Sequence, residues 1–214
     1  MKALHVLTAA CALAAASALA GAPPVPTVIP HGTLDYRKAD AGTYRLDPNH
    51  TAVLAHVSHA GFSISLFRFG KSEATLQWNP DDFGKCKLEA KVETVSIATP
   101  VAGFARQLAG KDYLKSAQFP EATFVSTAFH QTDATHGTVD GNFTLMGVTK
   151  QVTFKVTLIG AGPGFAGGPI MGHVIGIHAE TAIDPQDYGI SPLIPGPIVI
   201  SVDTEFDKPD SKRG

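Results

Sequence analysis

The chain has 214 residues, 44% hydrophobic and 17% charged, which is enough apolar material for the core of one globular domain. Lys and Arg (17) nearly balance Asp and Glu (19), giving a formal charge of −2. That balance excludes the basic surplus of a nucleic-acid binder, and no charge run marks an interaction tail.

Lys2 opens the chain, and residues 3–20 then carry no charge apart from His5. Residues 6–16 are rich in Leu, Ala and Val, and Ala18-Leu19-Ala20 fits a small-x-small cleavage pattern with Gly21 as the new N-terminus. This layout predicts a signal peptide over 1–20, cleaved near Ala20, and an exported mature chain. The apolar run is shorter than the ~20 residues that span a bilayer, and no later stretch reads as a transmembrane segment. Cys11 lies inside the leader, so the mature chain keeps only Cys86 and forms no internal disulfide. Cys86 reads as a small buried apolar residue.

Pro23, Pro24, Pro26 and Pro30, with no apolar periodicity around them, predict a Pro-rich linker over 21–42. The domain is expected over 43–207, with a flexible tail at 208–214.

Within the domain the dominant period is two. Cys86, Leu88, Ala90 and Val92 alternate with Lys87, Glu89 and Lys91. The same alternation runs through residues 138–145, 151–158 and 198–206, and each segment has one apolar and one wet face. Residues 43–47, 51–58, 69–78, 123–129 and 171–181 are weaker strand candidates. Asn79-Pro80-Asp81-Asp82, residues 133–137 and the Gly-rich run 160–168 read as turns and loops between them. One stretch breaks the pattern: Phe104, Leu108 and Leu114 predict a short helix over 100–114, with Thr99 as its cap, Pro100 at its first position and Gly110 ending it. The fold class expected is all-β, an extended antiparallel up-and-down barrel with one short helix.

Catalytic motifs are missing: there is no HExxH, no GxSxG, no P-loop Lys-Ser/Thr after the glycines and no Cys pair for zinc. No catalytic residue, metal ligand set or cofactor is assigned. His50, His56 and His59 cluster in sequence, but positions 56 and 59 of a strand point to opposite faces. An inward set of large residues (Phe62, Leu76, Trp78, Phe143, Phe154, Phe206) mixes with small ones (Ala74, Ala90, Gly141, Ala179). Gaps beside small residues make a channel, and a fully packed core is the alternative.

Several short motifs, in order, are similar to the YceI-like polyisoprenoid-binding family. They are Tyr44-Arg45-Leu46-Asp47-Pro48-Asn49-His50-Thr51, His59-Ala60-Gly61-Phe62 with Phe69-Gly70, Ser96-Ile97-Ala98-Thr99, Lys111-Asp112-Tyr113-Leu114, and Phe119-Pro120-Glu121-Ala122-Thr123-Phe124. The hairpin Val139 to Lys150 and the turn Asp187-Tyr188-Gly189 complete the series, so the resemblance spans about 43–207. Pro185 departs from it, standing where the family has Arg. The resemblance implies a lipocalin-like barrel in the periplasm that binds or carries a long apolar ligand, a polyisoprenoid, quinone or related lipid, and is not an enzyme. It implies a ligand lining of Phe62, Ile64, Leu76, Leu88, Phe143, Phe154, Val156, Ile175 and Ile177, with His50 and His59 as matched polar positions. A homodimer is compatible with it. Two alternatives stand beside this reading: a metal-dependent or redox-associated protein using His50, His56 and His59, and a stress-related partner-binding module with a filled core.

Overall fold

Alternating apolar and polar residues do what the pleat requires of them, placing successive side chains on opposite faces of a sheet. The computed structural model describes residues 30–164, 172–194 and 196–208. The expected signal peptide, the first part of the expected linker, residues 165–168 of the Gly-rich run and residues 209–214 of the tail lie outside the described residues.

The strands are β1 (Gly42–Leu46), β2 (Ala52–His59), β3 (Ser63–Phe69), β4 (Ser72–Trp78), β5 (Lys87–Glu93) and β6 (Ile97–Ala98), followed by helix α1 (Phe104–Ala109). Then come β7 (Glu121–Gln131), β8 (His136–Leu145), β9 (Val148–Pro163), β10 (His173–Ile183) and β11 (Ile198–Lys208). All pairings between them are antiparallel, in the order β1-β4-β5-β7-β8-β9-β10-β11-β2-β3-β6, and β1 also pairs with β11. β1 and β2 are two halves of one bent strand, as are β3 with β4 and β5 with β6. The result is a closed eight-stranded up-and-down barrel. Closure leaves no open sheet edge around the main wall.

Local chemistry explains the bends and turns. Between β1 and β2, the Asp47 carboxylate accepts from the Asn49 N–H at 2.8 Å, and the Thr51 hydroxyl donates to the Asp47 carbonyl at 2.6 Å. Pro48 sits at the start of this 3-10 turn, where its missing N–H costs nothing. The β8–β9 hairpin turns through Met146 and Gly147, both with positive φ (51° and 78°), the backbone of a tight primed turn.

Five sequence expectations change. The described part of the expected linker is not a linker. Thr33 exchanges two backbone hydrogen bonds with Ala161, and Tyr36 and Ala39 are buried. Trp78 Nε1–H donates to the Ala39 carbonyl, the Tyr44 hydroxyl to Asp40 and Lys208 Nζ to Ala41, so residues 33–41 cap one end of the barrel. Proline content marked this segment as a linker but was blind to the long-range partners of Tyr36. The Gly-rich run is not wholly a loop: Gly160 to Pro163 extend β9, pairing with β10 from Gly176 to His173. Missing side chains do not prevent a strand whose both neighbours are supplied by the barrel. Residues 63–69 form a strand of their own, hidden from sequence because both faces carry apolar residues. The helix is shorter than 100–114 and starts without a side-chain cap at Gly103. Thr99 Oγ1 instead accepts from the Val101 N–H, ahead of the helix, while Gly110 ends it as expected. Lys208, expected in the tail, is the last residue of β11.

Candidate functional site

Inward residues of the strands leave a hole. On β8, Val139, Gly141, Phe143 and Leu145 are buried and alternate with more exposed residues, which identifies the inner face. Across the wall, Ala74 of β4 pairs with Ala90 of β5, Ala90 with Phe124 of β7, and Phe124 with Phe143 of β8. Two alanines beside two phenylalanines cannot fill a barrel section evenly, so space remains over the small side chains. That space is a cavity of about 320 Å³. Its lining reaches from Tyr36, Trp78 and Phe83 at one end of the barrel to Leu114, Leu145 and Ile190 at the other. The first three rings pack on one another at centroid distances of 5.5–6.2 Å beneath the residue 33–41 cap. Helix α1 stands at the opposite end, where Phe104 meets Phe67 edge-on and Leu108 is buried.

Seven of the nine residues expected to line the ligand do line this cavity: Leu76, Leu88, Phe143, Phe154, Val156, Ile175 and Ile177. Two do not. Phe62 lies in the β2–β3 turn and is 89% exposed, and Ile64 is 59% exposed on the outer face of β3. The pairing of β3 with β2 sets that face: Ile64 stands opposite Ser58, and the inward positions of β3 are Ser65, Phe67 and Phe69. Sequence reasoning also missed Tyr36, Phe124, Phe129 and Val139. Val139 shares the parity of the recognised Phe143 on β8. Phe124 and Phe129 differ in parity, and both line the cavity because the register of β7 shifts between Ser126 and Ala128. Tyr36 had no periodic signal at all.

The matched histidines are not cavity residues. His59 is exposed at the end of β2. His56 Nε2 meets the Ser201 hydroxyl at 2.7 Å across the β2–β11 pairing. His50 sits on the outer wall, with Nδ1 2.6 Å from Asp47 Oδ2 and 3.9 Å from Glu205 Oε2. Hydrogen bonding to Asp47, then the negative charge of Glu205, raises the imidazole above its ordinary range. Burial opposes ionisation of Asp47, but hydrogen bonds from His50 and Asn49 win and hold its carboxyl below the usual range. Among the described residues, the one set of three clustered metal-ligating side chains is Asp47, His50 and Glu205, without His56 or His59. The three-histidine arrangement considered from sequence is therefore not formed.

Cys86 is buried, as its sequence context predicted, and burial pushes its thiol up. Its Sγ accepts from the Asn79 N–H at 3.3 Å. Because the thiolate is the nucleophile, iodoacetamide at pH 7.5 is expected to alkylate Cys86 at least about a hundredfold more slowly in the folded protein than in denaturant. Equal rates, followed by mass spectrometry, would show the thiol to be accessible.

Residues 44–206 match the YceI-like domain. A UPF0312 protein of Pseudomonas fluorescens is 34% identical over 168 residues, 78% of this chain and 84% of that protein. One from Shewanella sp. strain ANA-3 is 31% identical over 71% of this chain and 78% of its own length. Among solved structures, Burkholderia cenocepacia BcnA superposes with a TM-score of 0.63 at 20% identity, over 75% of this chain and 98% of BcnA. A polyisoprenoid binding domain from Saccharophagus degradans, implicated in plant cell wall breakdown, gives 0.57 at 12% identity over 78% and 98%. These structures share the barrel architecture. With the domain match running from the first strand of the barrel to the last, the chain belongs to the YceI-like family.

Proposed function

We propose that this protein binds a long apolar molecule, a polyisoprenoid, quinone or related lipid, inside the barrel and carries it outside the cytoplasm. The observation that carries this reading is the cavity itself: about 320 Å³, lined by aliphatic and aromatic side chains along the barrel axis. Pockets that hold small ligands begin at about 300 Å³. Each CH₂ transferred from water into such a lining contributes ~0.8 kcal/mol, so a hydrocarbon chain needs few polar contacts to stay bound. Binding by a related fold supports the choice of ligand class, since the Saccharophagus degradans domain is described as polyisoprenoid binding. The charge pattern of residues 1–20 supports export, and the periplasm follows as the compartment of action. Carriage requires the ligand to be taken up and released unchanged, which asks no catalytic group of the barrel.

The test is native mass spectrometry of the protein purified from its own envelope, followed by organic extraction. A co-purifying isoprenoid or quinone at about one per chain is the expected result. A mass without ligand, unchanged by incubation with polyprenols, quinones and fatty acids, would overturn the reading.

A further inference from the structure

We propose that the α1 end of the barrel is a docking surface for an anionic lipid bilayer, with Phe62 and Leu193 entering the acyl boundary and Arg106, Lys111 and Lys115 meeting the headgroups. Among the described residues, nine large apolar side chains stand in solvent, and six of them lie at this end: Phe62, Ile64, Leu66, Val95, Val101 and Leu193. Scattered exposed apolar residues are ordinary, whereas a cluster of them marks a contact surface.

Strand pairing brings the six together. β2 runs beside β11 only as far as His56, opposite Val199, but beside β3 as far as His59, opposite Ser63. The end of β2 and the start of β3 therefore form a tongue that reaches roughly 10–13 Å past the last β2–β11 pair, at ~3.3 Å per residue. Phe62 stands in the turn at its tip, and β3 has no strand on its other side until Arg68 meets Ala98 of β6. Leu193, 82% exposed, belongs to the β10–β11 connection, which leaves the wall at the Ile183–Ile198 pair beside the base of the tongue. Val101 accepts the Phe104 N–H at the start of α1, and Phe104 packs on Phe67 of β3. Val95 lies in the turn before β6, whose Ser96 carbonyl accepts the Gly70 N–H just past β3.

Charge and shape identify the occupant. Residues 99–119, which carry α1, hold Arg106, Lys111 and Lys115 against one acid, Asp112. Of the acids in the β10–β11 connection, Asp187 pairs with Lys150 and Asp184 accepts from the Gln186 N–H. Exposed apolar tips flanked by cations are the chemistry of a surface that sinks into the headgroup layer of an anionic membrane by about 5–10 Å, a depth the tongue can reach. A second copy related by a twofold axis would instead set the basic segment against itself. Leu114 of that segment and Ile190 of the Leu193 connection line the cavity, so the docking surface and the interior share two segments. A route for cargo through this end rests on the function proposed above, whereas the docking itself does not.

The experiment is sedimentation of the protein with vesicles of phosphatidylcholine containing about 30% phosphatidylglycerol, against pure phosphatidylcholine, at about 0.1 M salt. Expected is binding to the anionic vesicles at least about tenfold tighter than to the neutral ones, weakened at least about fivefold at roughly 0.5 M salt. Phe62→Ser combined with Leu193→Ser is expected to weaken it at least about tenfold, through lost apolar insertion. Arg106→Glu combined with Lys111→Glu is expected to remove the preference for anionic vesicles. Leu34→Ser combined with Ile159→Ser, exposed residues away from this end, is expected to leave binding within about twofold of wild type. All the substituted side chains are exposed, so each Tm is expected to stay within about 2 °C of wild type. None lines the cavity, so a fluorescent fatty acid is expected to bind all three variants as it binds wild type, which separates loss of docking from failure of the cargo reading. Absence of binding to anionic vesicles, or full binding by the Phe62→Ser, Leu193→Ser variant, would overturn the proposal. So would a doubled mass by light scattering that this variant returns to one chain, which would give the patch to a second copy.

Discussion

Ala90→Phe is expected to abolish lipid binding while leaving the barrel folded. Ala90 lines the cavity, opposite Ala74 on one neighbouring strand and Phe124 on the other. A ring placed there enters existing empty space, so it displaces ligand in preference to protein. Excluding one five-carbon unit of an isoprenoid costs about 4 kcal/mol at ~0.8 kcal/mol per carbon. That is about a thousandfold in Kd. The measurement is competition against a fluorescent fatty acid or polyene, with circular dichroism and a thermal melt to establish folding. A folded variant whose affinity stays within twofold of wild type would mean that the ligand does not pass Ala90.

Gly141→Ala is expected to be among the most destabilising single-methyl changes in the protein. A Cβ at this position would lie 2.4 Å from Phe124 Cζ and 2.6 Å from the Val125 carbonyl oxygen. The Phe124 ring covers Gly141 and meets Phe154 edge-on at 5.1 Å. The ring can turn aside only into the cavity, and the carbonyl belongs to the β7–β8 ladder and has nowhere to go. Overpacking of this kind costs up to about 3 kcal/mol. For a domain of this size the expected fall in Tm is roughly 6–12 °C. Gly70→Ala is the control. Its nearest neighbour would be the Ser96 carbonyl at 3.7 Å, an ordinary contact, and its Tm is expected to stay within about 2 °C of wild type. Equal melting of the two variants would show that Phe124 does not rest on Gly141. Ligand affinity is expected to fall in Gly141→Ala as well, because the displaced ring narrows the same cavity that Ala90→Phe blocks.

Both substitutions probe one design, in which small residues hold the channel open beside large ones. Placing bulk at Ala90 closes the channel from the wall. Placing a single methyl at Gly141 closes it by moving Phe124. A ligand assay on the two variants therefore separates loss of space from loss of fold, since only the second lowers Tm.

Much of this was legible in the chain itself. Strands β5, β8, β9 and β11 were readable because alternation is a local property: the pleat turns every second side chain the same way, whatever the strand pairs with. The same parity placed Leu88, Phe143, Phe154 and Val156 on the inner face, and short family motifs added the order of the elements. Ile64 was not readable. Its strand carries Ile64 and Leu66 on one face and Phe67 and Phe69 on the other, so composition cannot choose between them, and the pairing of Ser58 with Ile64 decides. Tyr36 was hidden for a different reason. Its burial depends on Trp78 and Phe83, more than forty residues away, and on a bridge from Thr33 to Ala161. The cluster on the outer wall needed the closure of the whole barrel, because Asp47 and His50 meet Glu205 only when the first strand pairs with the last. Which residues can line a channel was thus determined by the sequence through local periodicity. Which of them do, and what gathers on the outer wall, was decided by strand pairing, since register and closure are set between distant segments and not within any one of them.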